Sequence, residues 1–144
     1  MIKHAWTTIC EKTVTAQETN NISLDILEHL HIQAPTPPEE SRGIILPVRI
    51  EIVSLWYRDQ NTPGKNGEAR IRLEIPDHET RTLILVIDLT QHLRMRTRAR
   101  LNTLPIPKQI NDYYFFVTEL KQENTWLEVA RVPLHVEAVF TSLQ

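Results

Sequence analysis

The chain has 144 residues, 41% hydrophobic and 24% charged, which excludes a disordered polymer and suits one globular domain with enough core to fold unaided. Its formal charge of −2 argues against whole-molecule attraction to nucleic acid or to an anionic membrane. Cys10 stands alone, so no intrachain disulfide is possible.

Alternation of apolar and polar residues is the main signal along the chain, and it is a strand signal. Residues 4–14 read as a first strand, with Cys10, whose apolar neighbours are Ile9 and Val14, as a small core or half-buried residue. No apolar leader follows Met1–Thr8, and no run approaches the roughly 20 apolar residues of a membrane helix. One cytoplasmic domain over 1–144 is therefore expected, with no membrane contact.

The pair Asn20-Asn21 marks a turn, after which residues 22–32 suit one strand, interrupted at Glu28. A short helix capped by Ser23, with Leu24, Leu27 and Leu30 on one side, is the alternative; the strand is preferred because a helix would stand isolated among strands. Residues 34–43 carry Pro35, Pro37 and Pro38 and form an exposed connection. Residues 46–58 change phase, from Val48, Ile50 and Ile52 to Val53, Leu55 and Tyr57, which implies a bulge or a passage between sheets.

Pro63-Gly64 and Asn66-Gly67 turn the chain within 60–67. Residues 68–75 then alternate cleanly: Ala69, Ile71, Leu73 and Ile75 against Glu68, Arg70, Arg72 and Glu74. Pro76, Asp77, His78 and Glu79 read as a hairpin tip, too wet to tune an acid–base pair. Residues 82–89 are apolar on both faces, the pattern of a central or doubly covered strand.

Residues 93–101 alternate again, Leu93, Met95, Thr97, Ala99 and Leu101 against Arg94, Arg96, Arg98 and Arg100. Pro105 and Pro107 mark a corner, and 112–120 form an aromatic strand. The last segment, 126–140, changes phase around Pro133, which places it at an edge or a bulge. With about eight strands, short turns and no convincing helix, the expected fold is an all-β, two-sheet antiparallel sandwich.

Several segments together resemble an uncharacterised family of small bacterial proteins. They are Lys3-His4-Ala5-Trp6, Asn20-Asn21-Ile22-Ser23-Leu24, Leu46-Pro47 through Ser54-Leu55-Trp56-Tyr57-Arg58, Leu104-Pro105-Ile106-Pro107, and Val129-Ala130-Arg131-Val132-Pro133-Leu134. The resemblance implies a bacterial single β domain and no particular chemistry. A weaker likeness is to immunoglobulin-type sandwiches, in which a tyrosine follows a corner. Tyr113 or Tyr114 would fill that place.

The arginine stripe is the most informative chemical feature. Arg94, Arg96, Arg98 and Arg100 fall on one strand face, about 6.5–7 Å apart, and Arg70 and Arg72 would extend the patch to six if their strand lay beside it. Guanidinium groups suit carboxylate or phosphate. The competing reading is a solvated face, self-paired through Glu51, Glu68, Glu74 and Asp88.

His29 and His31 form an H-x-H with Asp25 as the only nearby third ligand, so no metal or other cofactor is expected. Three glycines cannot build a phosphate loop, and no serine or cysteine sits in a nucleophile motif. The pairs Trp56-Tyr57 and Tyr113-Tyr114 must each place one ring outside the core. These residues point to a non-enzymatic binding or assembly module using the six arginines on an acidic protein partner or on another copy of itself. The alternative is an enzyme or a sugar- or small-molecule-binding protein with a site in the loops near 34–43 and 60–67.

Overall fold

The structure is a computed structural model that describes the backbone of residues 1–15 and 21–141 and the side chains of 1–11 and 21–141. Nine strands and no helix are found among the described residues. They are β1 (Lys3–Thr15), β2 (Ile22–Ile26), β3 (His29–Pro35), β4 (Gly43–Tyr57), β5 (Lys65–Glu74), β6 (Arg81–Leu89), β7 (Arg94–Pro107), β8 (Asn111–Gln122) and β9 (Thr125–Thr141). The chain is an all-β, two-sheet sandwich, with one sheet ordered β2-β1-β4-β7 and the other β3-β9-β8-β5-β6.

Residues 22–32 are two strands rather than one, and they belong to different sheets. After Ile26 the chain leaves the first sheet; the Leu27 amide donates to the Ile9 carbonyl at 2.9 Å while its side chain is buried. The Glu28 carbonyl then accepts from the His135 amide at 3.1 Å, starting β3 alongside β9. Glu28 broke the apolar pattern because it sits at the crossing. The β3–β9 pair is parallel, the exception in an otherwise antiparallel sandwich.

The inward faces interlock as one core of Ile9, Ile52, Ile71, Leu104, Ile106, Tyr114, Phe116, Leu134 and Val136, all buried. A second cluster at one end gathers Ile2, Trp56, Ala69, Ile87, Leu89 and Leu120. Polar strut residues cross between the sheets: the Thr118 hydroxyl donates to Thr7 Oγ1 at 3.2 Å, and Thr7 shares a 2.7 Å bond with Ser54. Trp56 is fully buried and donates to Thr97 at 2.9 Å, while its neighbour Tyr57 lies outside under the Lys3 ammonium.

Both segments expected to change phase carry a bulge, but the inward set of β4 does not switch at Val53 as expected. In β4 the extra residue lies between Pro47 and Ile50, opposite Asn102. Beyond it, Ile50, Ile52, Ser54 and Trp56 all face inward, and Val53 is buried on the opposite face. In β9 the register shift falls at Val129, between the pairs Thr118–Ala130 and Glu119–Glu128, rather than at Pro133. Pro133 is tolerated because β3 joins β9 only from His135 onward, leaving that stretch of β9 with no partner on that side.

Pro105 and Pro107 are not a corner. Both lie in β7, paired with Ile45 and Gly43, and β7 is a sheet edge where a missing amide costs no ladder bond. The corner follows at Lys108–Gln109, with Gln109 at φ 58°. Gly43 opposite is obligatory: at φ 147° any Cβ there would overlap the Ile106 carbonyl. The Asn20-Asn21 turn lies partly outside the described residues.

The segment that passes between the two sheets of the sandwich is β2–β3, which follows the first strand. Of the two tyrosines expected at the corner it is Tyr114 that is buried, its hydroxyl donating to the Pro105 carbonyl at 2.6 Å. Burial raises the Tyr114 pKa, so the donor stays protonated. Tyr113 faces outward. Tyr114→Phe strands a buried carbonyl and is expected to cost about 1–3 kcal/mol, read as a lower urea midpoint at unchanged slope; a midpoint equal to wild type would remove the corner from the stabilising interactions.

Candidate functional site

The six arginines do not form one patch. Arg94, Arg96, Arg98 and Arg100 stand on the outer face of the first sheet, on its edge strand β7, opposite Tyr57, Leu55, Val53 and Glu51. Arg70 and Arg72 stand on β5 and face outward from the second sheet, the other side of the sandwich. Sheets stacked about 10 Å apart put the two groups on opposite surfaces.

The two groups also differ in how far they are engaged. Glu119 is buried on β8 and accepts from Arg70 at 2.8 Å and from Arg72 at 3.1 Å, while Arg72 donates to Glu74 at 3.0 Å. Arg131 ties Glu74 at 2.6 Å to Glu128 at 2.8 Å, and the Arg70 guanidinium lies 4.4 Å over the Trp126 ring. Arg70 and Arg72 are thus internal partners of a carboxylate cluster. Glu119 is the key residue that sequence reasoning missed: it faces those arginines only through the β5–β8 register, with Arg70 directly opposite it.

On β7, Arg100 is 3.5 Å from Glu51 yet 74% exposed, a loose pair. The second oxygen of Glu51 is buried without a hydrogen-bond partner among the described residues. Arg94 and Arg98 are exposed and Arg96 is half-buried; Arg96 and Arg98 make further interactions of their own. Of the expected self-pairings, Glu51 meets Arg100, Glu74 meets Arg72, Glu68 meets Lys121 at 3.5 Å, and Asp88 instead accepts from the Thr90 amide and hydroxyl.

The larger surprise is β6. Its two apolar faces predicted a central strand, but β6 is the edge of the second sheet. Leu85, Ile87 and Leu89 face the core, while Ile84 is 54% exposed and Val86 68%. Pairing with β5 runs without a bulge from Lys65–Leu89 to Leu73–Arg81. The Asp88 amide reaches the Met95 sulfur on β7 at 3.2 Å, so by two-residue alternation the backbone groups of Thr82, Ile84 and Val86 also point away from β5.

Strands β6 and β7 are the edges on the same flank. Between them opens a cleft of about 210 Å³ whose floor is core (Ile52, Ile71, Leu73, Phe116) and whose rim carries Leu83, Arg81 and Arg100.

The other sequence candidates are not brought together. The 34–43 and 60–67 connections lie at opposite ends of the 15-residue strand β4, so they do not share a site. The first is held by Lys108 on the Glu39 carbonyl at 2.9 Å, the second by Arg58 on the Leu89 and Thr62 carbonyls at 2.7 and 2.9 Å. Asp25 sits on β2, in the sheet opposite His29 and His31, and cannot complete their pair. His4 bonds Thr7 at 2.7 Å and through it reaches Ser54, but Ser54 is fully buried. Burial lowers the His4 pKa, and this chain acts as a strut. The sequence matches no family model and no curated protein.

The Arg70 and Arg72 hydrogen bonds hold the Glu119 pKa below its ordinary 4.5. A depressed carboxylate contributes stability that is present above its unfolded value and lost as pH falls through its folded value. Glu119→Gln is therefore expected to lose about 1–3 kcal/mol at pH 7. Urea unfolding at pH 7 and pH 3 should show the gap to wild type closing at the lower pH; a gap that persists there would mean the charge is not the stabilising element.

Proposed function

We propose that this protein is a non-enzymatic binding module that takes up an extended, acidic segment of a partner protein along β6, with the β7 arginines as the electrostatic contact. One observation carries the reading: β6 is a nine-residue edge strand that pairs with β5 without a bulge, has no strand on its other side among the described residues, and holds Ile84 and Val86 in solvent. Edges of this kind pair with other chains, and proteins usually blunt them with proline, lysine, bulges or a covering loop. β6 has none of the first three, and its only charges, Arg81 and Asp88, stand near its ends.

An added strand gains main-chain hydrogen bonds from β6 and covers its exposed apolar side chains. Charge selects the partner: Arg81 and Arg100 flank the opening, and Arg94 and Arg98 continue along the neighbouring edge. Such complementarity acts mainly on encounter rate and on exclusion of basic partners, and it weakens with salt. The loop-site alternative has no comparable support, since its two loops lie at opposite ends of β4.

The test uses Ile84→Lys and Val86→Lys, which charge the edge without touching the core, beside a variant with Arg94, Arg96, Arg98 and Arg100 all changed to Gln. All must first melt like wild type. A partner recovered from nuclease-treated native lysate should fall about tenfold with either edge variant and be released by moderate salt and by the Gln variant. Equal recovery with all variants would refute the reading. A wild-type dimer in sedimentation, dissolved by Val86→Lys, would instead make a second copy the occupant.

A further inference from the structure

The inner face of β6 loses its cover along the strand. Leu89 and Ile87 are fully buried, Leu85 is half-buried, and Leu83, the next of the same set, is 44% exposed. Its neighbour within the sheet is not the reason, since Ile71 opposite it on β5 is buried. The reason lies across the sandwich. β6 touches β7 where the Asp88 amide reaches the Met95 sulfur at 3.2 Å, and again where the Arg81 guanidinium reaches the Thr103 carbonyl at 3.3 Å. Between these two ties Leu83, Leu101 and Phe116 border the apolar cleft of about 210 Å³.

We propose that this cleft is the anchor pocket of the binding edge. It takes one large apolar side chain of the added strand, leucine or phenylalanine in size, while an acidic residue two places from that anchor meets Arg81. The inference deepens the strand-addition reading and rests on it.

Alternation fixes the register of the segment. Thr82, Ile84 and Val86 turn their main-chain groups to the incoming strand, and the side chain of Leu83 between them faces the inside of the sandwich. A residue placed opposite Leu83 points the same way, into the cleft. In an antiparallel pair this is the non-hydrogen-bonded position, where Cα atoms are about 4.5 Å apart and facing side chains are closest. The residues next to the anchor turn outward and cover Thr82 and Ile84. Those two places away return to the inner side, one opposite Arg81 and the other opposite Leu85.

Size and charge name the occupant. An apolar cavity of about 150 Å³ accepts a benzene ring, so a cleft of about 210 Å³ suits one aromatic or branched aliphatic side chain. Its floor belongs to the main core, so an anchor there extends the core rather than merely shielding surface. Among the described residues the hydrogen-bond partners of Arg81 are the neutral Thr103 carbonyl and hydroxyl, at 3.3 and 3.4 Å. Arg100, on the same rim, holds Glu51 loosely at 3.5 Å. A carboxylate arriving here gains charge-assisted hydrogen bonds, whereas a basic side chain meets two cations.

The test is fluorescence anisotropy of the full chain at low salt with labelled synthetic peptides. Each probe has leucine at its centre, aspartate two places to either side and threonine elsewhere. Replacing the central leucine by alanine should weaken binding about tenfold or more, and replacing the aspartates by asparagine should weaken it several-fold. Arg81→Gln should erase the aspartate preference and keep the leucine preference. Leu83→Trp fills the mouth of the cleft and should erase the leucine preference, while Val86→Lys should abolish binding of every peptide. Melting curves must superpose, and if Leu83→Trp fails this, the peptide series on the wild-type chain carries the test. Equal binding of leucine and alanine peptides, still lost in Val86→Lys, would overturn the anchor and leave strand addition standing. Absence of binding by any peptide below about 1 mM would overturn both.

Discussion

The rest of the structure depends on the passage of the chain from one sheet to the other at Leu27–Glu28. A sandwich buries its two inner faces readily, but its four edges remain, each a row of unpaired amides and carbonyls. By bonding Leu27 to Ile9 on one side and Glu28 to His135 on the other, the chain straps the sheets together along the β2–β3 flank. Among the described residues no comparable crossing closes the opposite flank, where the Met95–Asp88 contact and the Arg81 reach to Thr103 span the gap between β6 and β7. The sandwich is therefore tied on one side and open on the other. Its distinctive surfaces follow from that asymmetry: on the open flank an apolar edge with no second strand beside it among the described residues, and on the tied one His29 and His31 beside Glu137.

The same asymmetry sorts the charges. Burying Glu119 on β8 would be costly for a lone carboxylate, and Arg70 and Arg72 offset that cost with charge-assisted hydrogen bonds. These arginines are thereby withdrawn from recognition. Arg94, Arg98 and Arg100 remain exposed on β7, beside the flank that has apolar surface left to cover. One residue type serves structure on one face and remains accessible on the other, and the difference is made by which strand lies alongside.

Sequence alone determined the strand content, the inward sets Ala69-Ile71-Leu73 and Thr97-Ala99, the hairpin tip at Asp77 and the outward direction of the arginines. The physical reason is that a strand's period of two is a local property, written in neighbouring residues. Strand order is not local. Whether β6 is central or an edge, whether Arg70 lies beside Arg98 or behind it, and whether His31 meets Asp25 or Glu137 depend on pairings between distant segments. An edge strand that stays apolar on both faces reads like a central one, and only the tertiary structure shows the missing neighbour. The alternation in each strand therefore settles which side chains point outward, while the register and order of the sheets decide what those side chains meet.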